Sequence, residues 1–169
     1  MTVISFVAAA SNSGKTTLIE KVVALLKARG LRVAVVKHAS AGFDLDKPGK
    51  DSWRFDQAGA DTIVLVGPDR MAILKKLRQE PAPEEFMRAA GDADIVIHEG
   101  FKKSAMNMIE VFRTGASGDR PLCMDGPSSF LALVSDCQFP VSLPWFDLND
   151  AEGVADFIMK RAASSKNPA

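Results

Sequence analysis

Ser13-Gly14-Lys15-Thr16-Thr17 follows the apolar, β-branched run Val3 to Ala10 and opens a segment in which Leu18, Val22, Leu25 and Leu26 recur at helical spacing. A strand that passes through a short Gly-Lys-Thr turn into a helix must present backbone N–H groups at the helix N-terminus. Such a loop wraps the α- and β-phosphates of a nucleoside triphosphate, its lysine reaches the β- and γ-oxygens, and the Thr16 hydroxyl can ligate Mg²⁺. Ser11, Asn12, Ser13, Gly14, Lys15, Thr16 and Thr17 are therefore the expected phosphate-binding residues. A bare G-K-[ST] arises by chance in roughly one chain in ten of this length, so the flanking strand and helix carry the inference. The alternative is a helix N-terminus that Ser13 or Thr16 merely caps, with Lys15 solvated. Ala9 stands where the full pattern has its first glycine. Its Cβ disfavours positive φ, which predicts a loop that starts in an ordinary extended or helical conformation.

With 169 residues, 47% of them apolar and 25% charged, the chain reads as one soluble domain with a real core, residues 1–163, followed by a frayed tail at 164–169. Lysine plus arginine equals aspartate plus glutamate at 21 each, so no global field draws the protein to nucleic acid or to an anionic membrane. Cys123 and Cys137 fit neither C-x-x-C nor a disulfide framework and read as reduced thiols of a cytosolic protein. The N-terminal apolar run has no basic segment before it and leads straight into the loop, so it reads as a buried strand and not as a signal peptide. No apolar stretch approaches the length of a membrane span.

Helical spacing from Lys15 to Arg29, stopped by Gly30, and the apolar run Leu31 to Lys37 make a βαβ unit. Residues 39–50, rich in Gly, Asp, Pro and Lys, read as a loop on the phosphate edge. A short helix from Asp51 to Gly59, capped by Asp51, precedes a strand Thr62 to Val66 with a hairpin partner around Met71 to Leu77. A helix from Pro81 to Ala90, strands at Ala93 to His98, Met108 to Phe112 and Phe130 to Val134, and a helix from Asn149 to Arg161 complete the pattern. The predicted fold is α/β and P-loop NTPase-like: a mostly parallel central sheet with helices on both faces and an antiparallel hairpin as its candidate extension.

The metal of a phosphate loop needs an acid at the end of a neighbouring buried strand. Asp94 lies five residues, roughly 16 Å, before Glu99, and ligands of parallel sheets sit at the carboxyl ends of the strands. Glu99 is therefore the candidate, holding Mg²⁺ through a water or orienting a hydrolytic water, with Gly100 admitting the backbone close to the phosphates; a solvated strand-end carboxylate is the alternative. Glu99 and Lys15 are the candidate catalytic residues, Thr16 and Glu99 the candidate metal ligands. Lys37 and Lys102 each read equally as cations for an anionic ligand or as solvated side chains. In the acidic loop Asp51 or Asp44 can approach the metal, or simply face water. His38 and His98 lack the close Cys/His cluster of a transition-metal site.

Four blocks carry a resemblance to a known family: Ser13-Gly14-Lys15-Thr16-Thr17-Leu18, Val36-Lys37-His38, Phe43-Asp44-Leu45-Asp46 with Pro48-Gly49-Lys50-Asp51-Ser52, and Glu99-Gly100-Phe101-Lys102 followed by Ile109-Glu110-Val111. In these the chain resembles the molybdopterin-guanine dinucleotide biosynthesis protein B family, small GTP-binding adaptors of molybdenum cofactor maturation, over most of residues 3 to 160. The resemblance implies GTP with Mg²⁺, weak GTPase activity, a homodimer, and partnership with the guanylyltransferase that attaches GMP to molybdopterin. The Ala9 departure bears on hydrolysis more than on binding. No Asn-Lys-x-Asp motif reads guanine; Asp136, after a predicted strand, is either an acceptor for guanine N1–H and N2–H₂ or a plain turn aspartate. Two other function classes compete: a small-molecule kinase, whose basic lid would have to be Lys75, Lys76 and Arg78, and an interaction module that has lost its nucleotide. The second loop lysine of nitrogenase-type ATPases would fall at Ala10, which excludes that pattern.

Overall fold

The computed structural model describes residues 1–40, 42–43, 47–101, 106–126 and 128–166. In chain order the elements are β1 (Thr2–Val7), α1 (Lys15–Ala28), β2 (Val33–Lys37), α2 (Asp51–Gln57), β3 (Thr62–Val66), β4 (Met71–Lys75) and α3 (Pro83–Ala89). They continue with β5 (Ile95–Glu99), β6 (Met108–Phe112), a 3-10 turn (Leu122–Asp125), β7 (Phe130–Ser135), β8 (Trp145–Asp147) and α4 (Ala151–Lys166). The chain groups into two compact units, one of Met1–His38 with Arg88–Ala169 and one of Ala39–Met87. No helix among the described residues is long and apolar enough to cross a membrane.

In the first unit six strands pair in parallel in the order β2-β5-β1-β6-β7-β8. Successive strand side chains point to opposite faces, and one parity is apolar through the middle of the sheet. Ile4 and Phe6 of β1, Ile95 and Ile97 of β5, Ile109 and Val111 of β6, and Ala132 and Val134 of β7 bury together with Leu18, Val22 and Leu26 of α1 and Val154 and Ile158 of α4. Both long helices thus pack on this one face. On the other face Val7, Met108 and Phe130 meet Leu122, Cys123 and Leu143, so a 3-10 turn and a loop provide cover there. Gly30, at φ 81, lets the chain turn out of α1, as its position predicts. Helix α4 continues to Lys166, past the Arg161 at which its periodicity predicts the end.

Glu110 has the opposite parity in β6 and is fully buried. Its two carboxylate oxygens accept the backbone N–H groups of Leu122 and Cys123, at 2.6 and 2.8 Å. A buried charge is tolerated only when hydrogen-bonded, and here it ties the start of the 3-10 turn to the sheet. Burial, and then the Glu110 carboxylate, push the Cys123 thiol up to about 12.

In the second unit β3 and β4 form a two-stranded antiparallel sheet, with Thr62 opposite Lys75 and Val66 opposite Met71. It is the hairpin expected from the sequence. A cavity of about 470 Å³ lies beside it, lined by Phe43, Trp53, Ile63 and Leu74 among others. Val64, Val66, Met71 and Ile73 are exposed. Lys50, not Asp51, is the N-cap of α2; Asp51 is the first helical residue.

Truncating Glu110 leaves two half-buried N–H groups without their acceptor and empties a fully buried side-chain position, so Glu110→Ala is expected to lower unfolding stability by roughly 2–4 kcal/mol in urea titration. The same variant should speed alkylation of Cys123, because the thiolate is the reactive form and its carboxylate neighbour is gone.

Candidate functional site

The core parity that buries the sheet against α1 also delivers the charged residues. Glu99 lies two residues beyond Ile97, on the helix-facing side of β5, and Lys37 pairs with it in register from β2 while Phe6 pairs from β1. Lys37, Glu99 and the end of β1 therefore stand level at the carboxyl edge, below the N-terminus of α1. In parallel α/β sheets this edge, where successive connections run to opposite sides of one strand, is the ligand crevice.

Between β1 and α1 the loop carries two left-handed residues, Asn12 at φ 62 and Gly14 at φ 87. Asparagine and glycine tolerate this region, whereas Ala9 stays out of it as expected. Gly14 is the N-cap of α1, without a side-chain cap, and its carbonyl accepts the Leu18 N–H. Ser13 is buried, while Ser11, Asn12, Thr16 and Thr17 are exposed at the edge. Neither Ser13 nor Thr16 caps the helix; the Thr16 hydroxyl donates instead to Glu99 Oε1 at 2.8 Å.

Glu99 is the centre of the site. Its side chain is 10% exposed, with Lys15 Nζ 3.5 Å from Oε1 and Lys37 Nζ 3.7 Å from Oε2. Two ammonium groups around one carboxylate leave a net positive edge, which favours an anion carrying several charges. Adjacent ligands on a magnesium octahedron with bonds of about 2.1 Å stand about 3.0 Å apart; the Thr16 and Glu99 oxygens, at 2.8 Å, are close to that edge. One carboxylate and one hydroxyl suit Mg²⁺, which keeps waters and takes phosphate oxygens for its remaining positions. Among the described residues no group of three or more His, Cys, Asp or Glu side chains could hold a metal ion. His38 and His98 each lie tilted against Phe101, with ring centroids 5.1 and 4.8 Å from it, and burial lowers the His98 pKa.

Gly100 is required for a local reason. At φ 96, a Cβ there would lie 3.0 Å from the His38 carbonyl oxygen, so glycine allows β2 and β5 to close together just beyond Glu99. Asp136 is held at the end of β7 by Thr114, whose N–H reaches both carboxylate oxygens, at 3.0 and 3.1 Å, and whose hydroxyl reaches one at 3.0 Å. The Thr114 backbone N–H is the main reason the Asp136 carboxyl lies below the usual range. Asp51 belongs to the second unit, where Arg54 is 3.9 Å away. Asp44 and Lys102 lie outside the described residues. Sequence reasoning missed Arg113, which packs on the phosphate-type loop: a Cβ on Gly14 would lie 3.1 Å from its Nη2. The alternation Ile109, Val111, Arg113 holds that signal, since it carries the helix-facing parity of β6 past the strand end.

Residues 3–136 match the family model of molybdopterin guanine dinucleotide synthesis protein B. The molybdopterin-guanine dinucleotide biosynthesis adapter protein of Escherichia coli is 36% identical over 157 residues, covering 90% of this chain and 89% of the relative. That of Haemophilus influenzae is 33% identical over 151 residues, covering 88% and 83%. Among solved structures, a crystal structure of molybdopterin-guanine biosynthesis protein B superposes with a TM-score of 0.71 at 30% identity, covering 95% of this chain and 99% of that one. Bacillus subtilis MobB superposes with a TM-score of 0.75 at 21% identity, covering 95% and 98%, a likeness of fold. The chain belongs to the molybdopterin guanine dinucleotide synthesis protein B family.

Proposed function

We propose that this chain is a GTP-binding adaptor of molybdopterin-guanine dinucleotide formation, with at most slow Mg²⁺-dependent GTPase activity. The observation that carries the reading is the shared carboxylate: Glu99 accepts from Thr16 and faces both Lys15 and Lys37. On binding, Lys15 would leave its loose contact with Glu99 for the β- and γ-phosphate oxygens, and the N–H groups of residues 12–17 would take the remaining charge. Thr16 and Glu99 would hold Mg²⁺, which would supply charge neutralisation to the bound phosphates. Glu99 can orient a water, but its hydrogen-bond and ion-pair partners are Thr16, Lys15 and Lys37, none of them a general base, consistent with slow turnover. GTP, rather than ATP, is taken from the relatives' role in guanine dinucleotide biosynthesis. Asp136 supports that preference weakly, because Thr114 already engages its oxygens.

The adapter name of the relatives favours action by contact; the guanylyltransferase as partner comes from the family resemblance, and the cytoplasm as the place from the reading of Cys123 and Cys137 as reduced thiols. Self-association is supported by the second unit. A lone two-stranded hairpin is marginal in water, and this one exposes Val64, Val66, Met71 and Ile73 together, an apolar surface of the kind that a second copy covers.

Two measurements test the reading. Calorimetry with GTP, GDP and ATP should show Mg²⁺-dependent binding that prefers GTP. Lys15→Ala should weaken it by at least about 30-fold, near 2 kcal/mol, and Glu99→Gln should abolish the Mg²⁺ dependence; absence of GTP binding by the unaltered protein rejects the reading. For the assembly, light scattering should give about twice the 18.2 kDa chain mass. Ile73→Asp should shift that mass toward the monomer.

A further inference from the structure

The loop is flanked on its other side by a guanidinium that the reading above does not use. Arg113 follows β6 directly and lies two residues past Val111, whose side chain is buried against the helices. Its Nη2 and Nε would lie 3.1 and 3.8 Å from a Cβ on Gly14, so the guanidinium rests on the loop where α1 begins. The backbone that carries it is fixed from both directions. The Arg113 N–H donates to Ser117 Oγ at 3.1 Å, and the Ser117 N–H returns to the Arg113 carbonyl at 3.0 Å. The next residue, Thr114, is tied to Asp136 at the end of β7. Ser117 is 2% exposed, so the turn is anchored in the interior while the arginine itself stays accessible. Among the described residues no carboxylate forms a salt bridge with the guanidinium. Asp136 feels its charge but directs its oxygens to Thr114.

An arginine held against a loop of backbone donors, with its fork still open, matches phosphate oxygens in geometry and charge. Which phosphates it meets follows from the sheet order. The Thr16–Glu99 pair and Lys37 lie on the β5 and β2 side of β1, and Arg113 lies on the β6 side. The Mg²⁺ that Thr16 and Glu99 would hold neutralises charge on the terminal phosphates, so the γ end would belong to the Glu99 side and the α end to the other. We propose that Arg113 binds the α- and β-phosphates of the nucleotide from the β6 side, opposite Lys37 and Glu99. The Thr114–Asp136 tether is the support that holds the arginine there. This inference rests on the nucleotide-binding reading of the loop.

The test is calorimetric binding of GDP and of a non-hydrolysable GTP analogue, both with Mg²⁺, to the unaltered protein, Arg113→Ala and Arg113→Lys. Arg113→Ala should weaken both nucleotides alike, by about ten-fold or more, equivalent to about 1.4 kcal/mol. Arg113→Lys should recover part of that loss, and the thermal midpoint of both variants should match the unaltered protein. If Arg113→Ala binds both nucleotides within roughly two-fold of the unaltered protein, or loses only the triphosphate, the assignment of Arg113 is overturned while the site stands. If the unaltered protein binds neither nucleotide, the nucleotide reading itself fails.

Discussion

One carboxylate organises the edge of this sheet. Glu99, the last residue of β5, is nearly buried and is shared by the Thr16 hydroxyl and the Lys15 and Lys37 ammonium groups. A charge at that depth is tolerable because donors surround it. Those donors come from the start of α1 and the end of β2, so the contact depends on β2, β5 and β1 ending level with one another. The ion pairs, at 3.5 and 3.7 Å, are long enough to exchange for stronger partners, and Lys37 is mostly exposed. Their worth lies in the local charge pattern more than in stability.

The rest of the fold follows from how that edge is built. Parallel pairing aligns the strand ends, and the two-residue period projects every second side chain toward α1. Inside the sheet those positions are Ile95, Ile97, Ile109, Val111, Ala132 and Val134, which form the core. Two residues further along β5, the same parity gives Glu99. Carried past the ends of β6 and β7 it gives Arg113 and Asp136. The opposite parity places Glu110 beneath the 3-10 turn, where it fixes the segment that returns from Arg113 toward β7. Core packing and site geometry are thus consequences of one alternation.

Much of this was readable in the residues. Gly14-Lys15-Thr16 between an apolar run and a helical period announced the strand, turn and helix that the structure shows, and the short apolar run Ile95 to Ile97 set Glu99 at a strand end. Ala9 correctly announced a loop that begins without positive φ, because the steric penalty of a Cβ is a local property. Other features depend on where distant segments meet. Gly100 reads as an opening toward phosphates, yet the space beside it is filled by the His38 carbonyl, a contact set by the β2–β5 register. Asp51 has the composition of an N-cap, but the helix starts one residue earlier, with Lys50 as its cap and Asp51 near Arg54. Arg113 carries no motif of its own, and only the approach of the β6 end to Gly14 distinguishes it from a solvated arginine. That two long helices share one face is equally invisible in periodicity, which fixes the apolar stripe of a helix and not the sheet face it meets.

We propose that the Thr16–Glu99 edge is where the metal of a bound nucleotide sits. The most direct test is a crystal structure grown with Mg²⁺ and a non-hydrolysable GTP analogue. It should show phosphates wrapped by residues 12–17, Mg²⁺ on Thr16 Oγ1 with Glu99 bound directly or through one water, and Lys15 moved from Glu99 to the phosphate oxygens. A nucleotide bound elsewhere, or a metal that leaves the Thr16–Glu99 hydrogen bond and the Lys15 contact as they are, would contradict it.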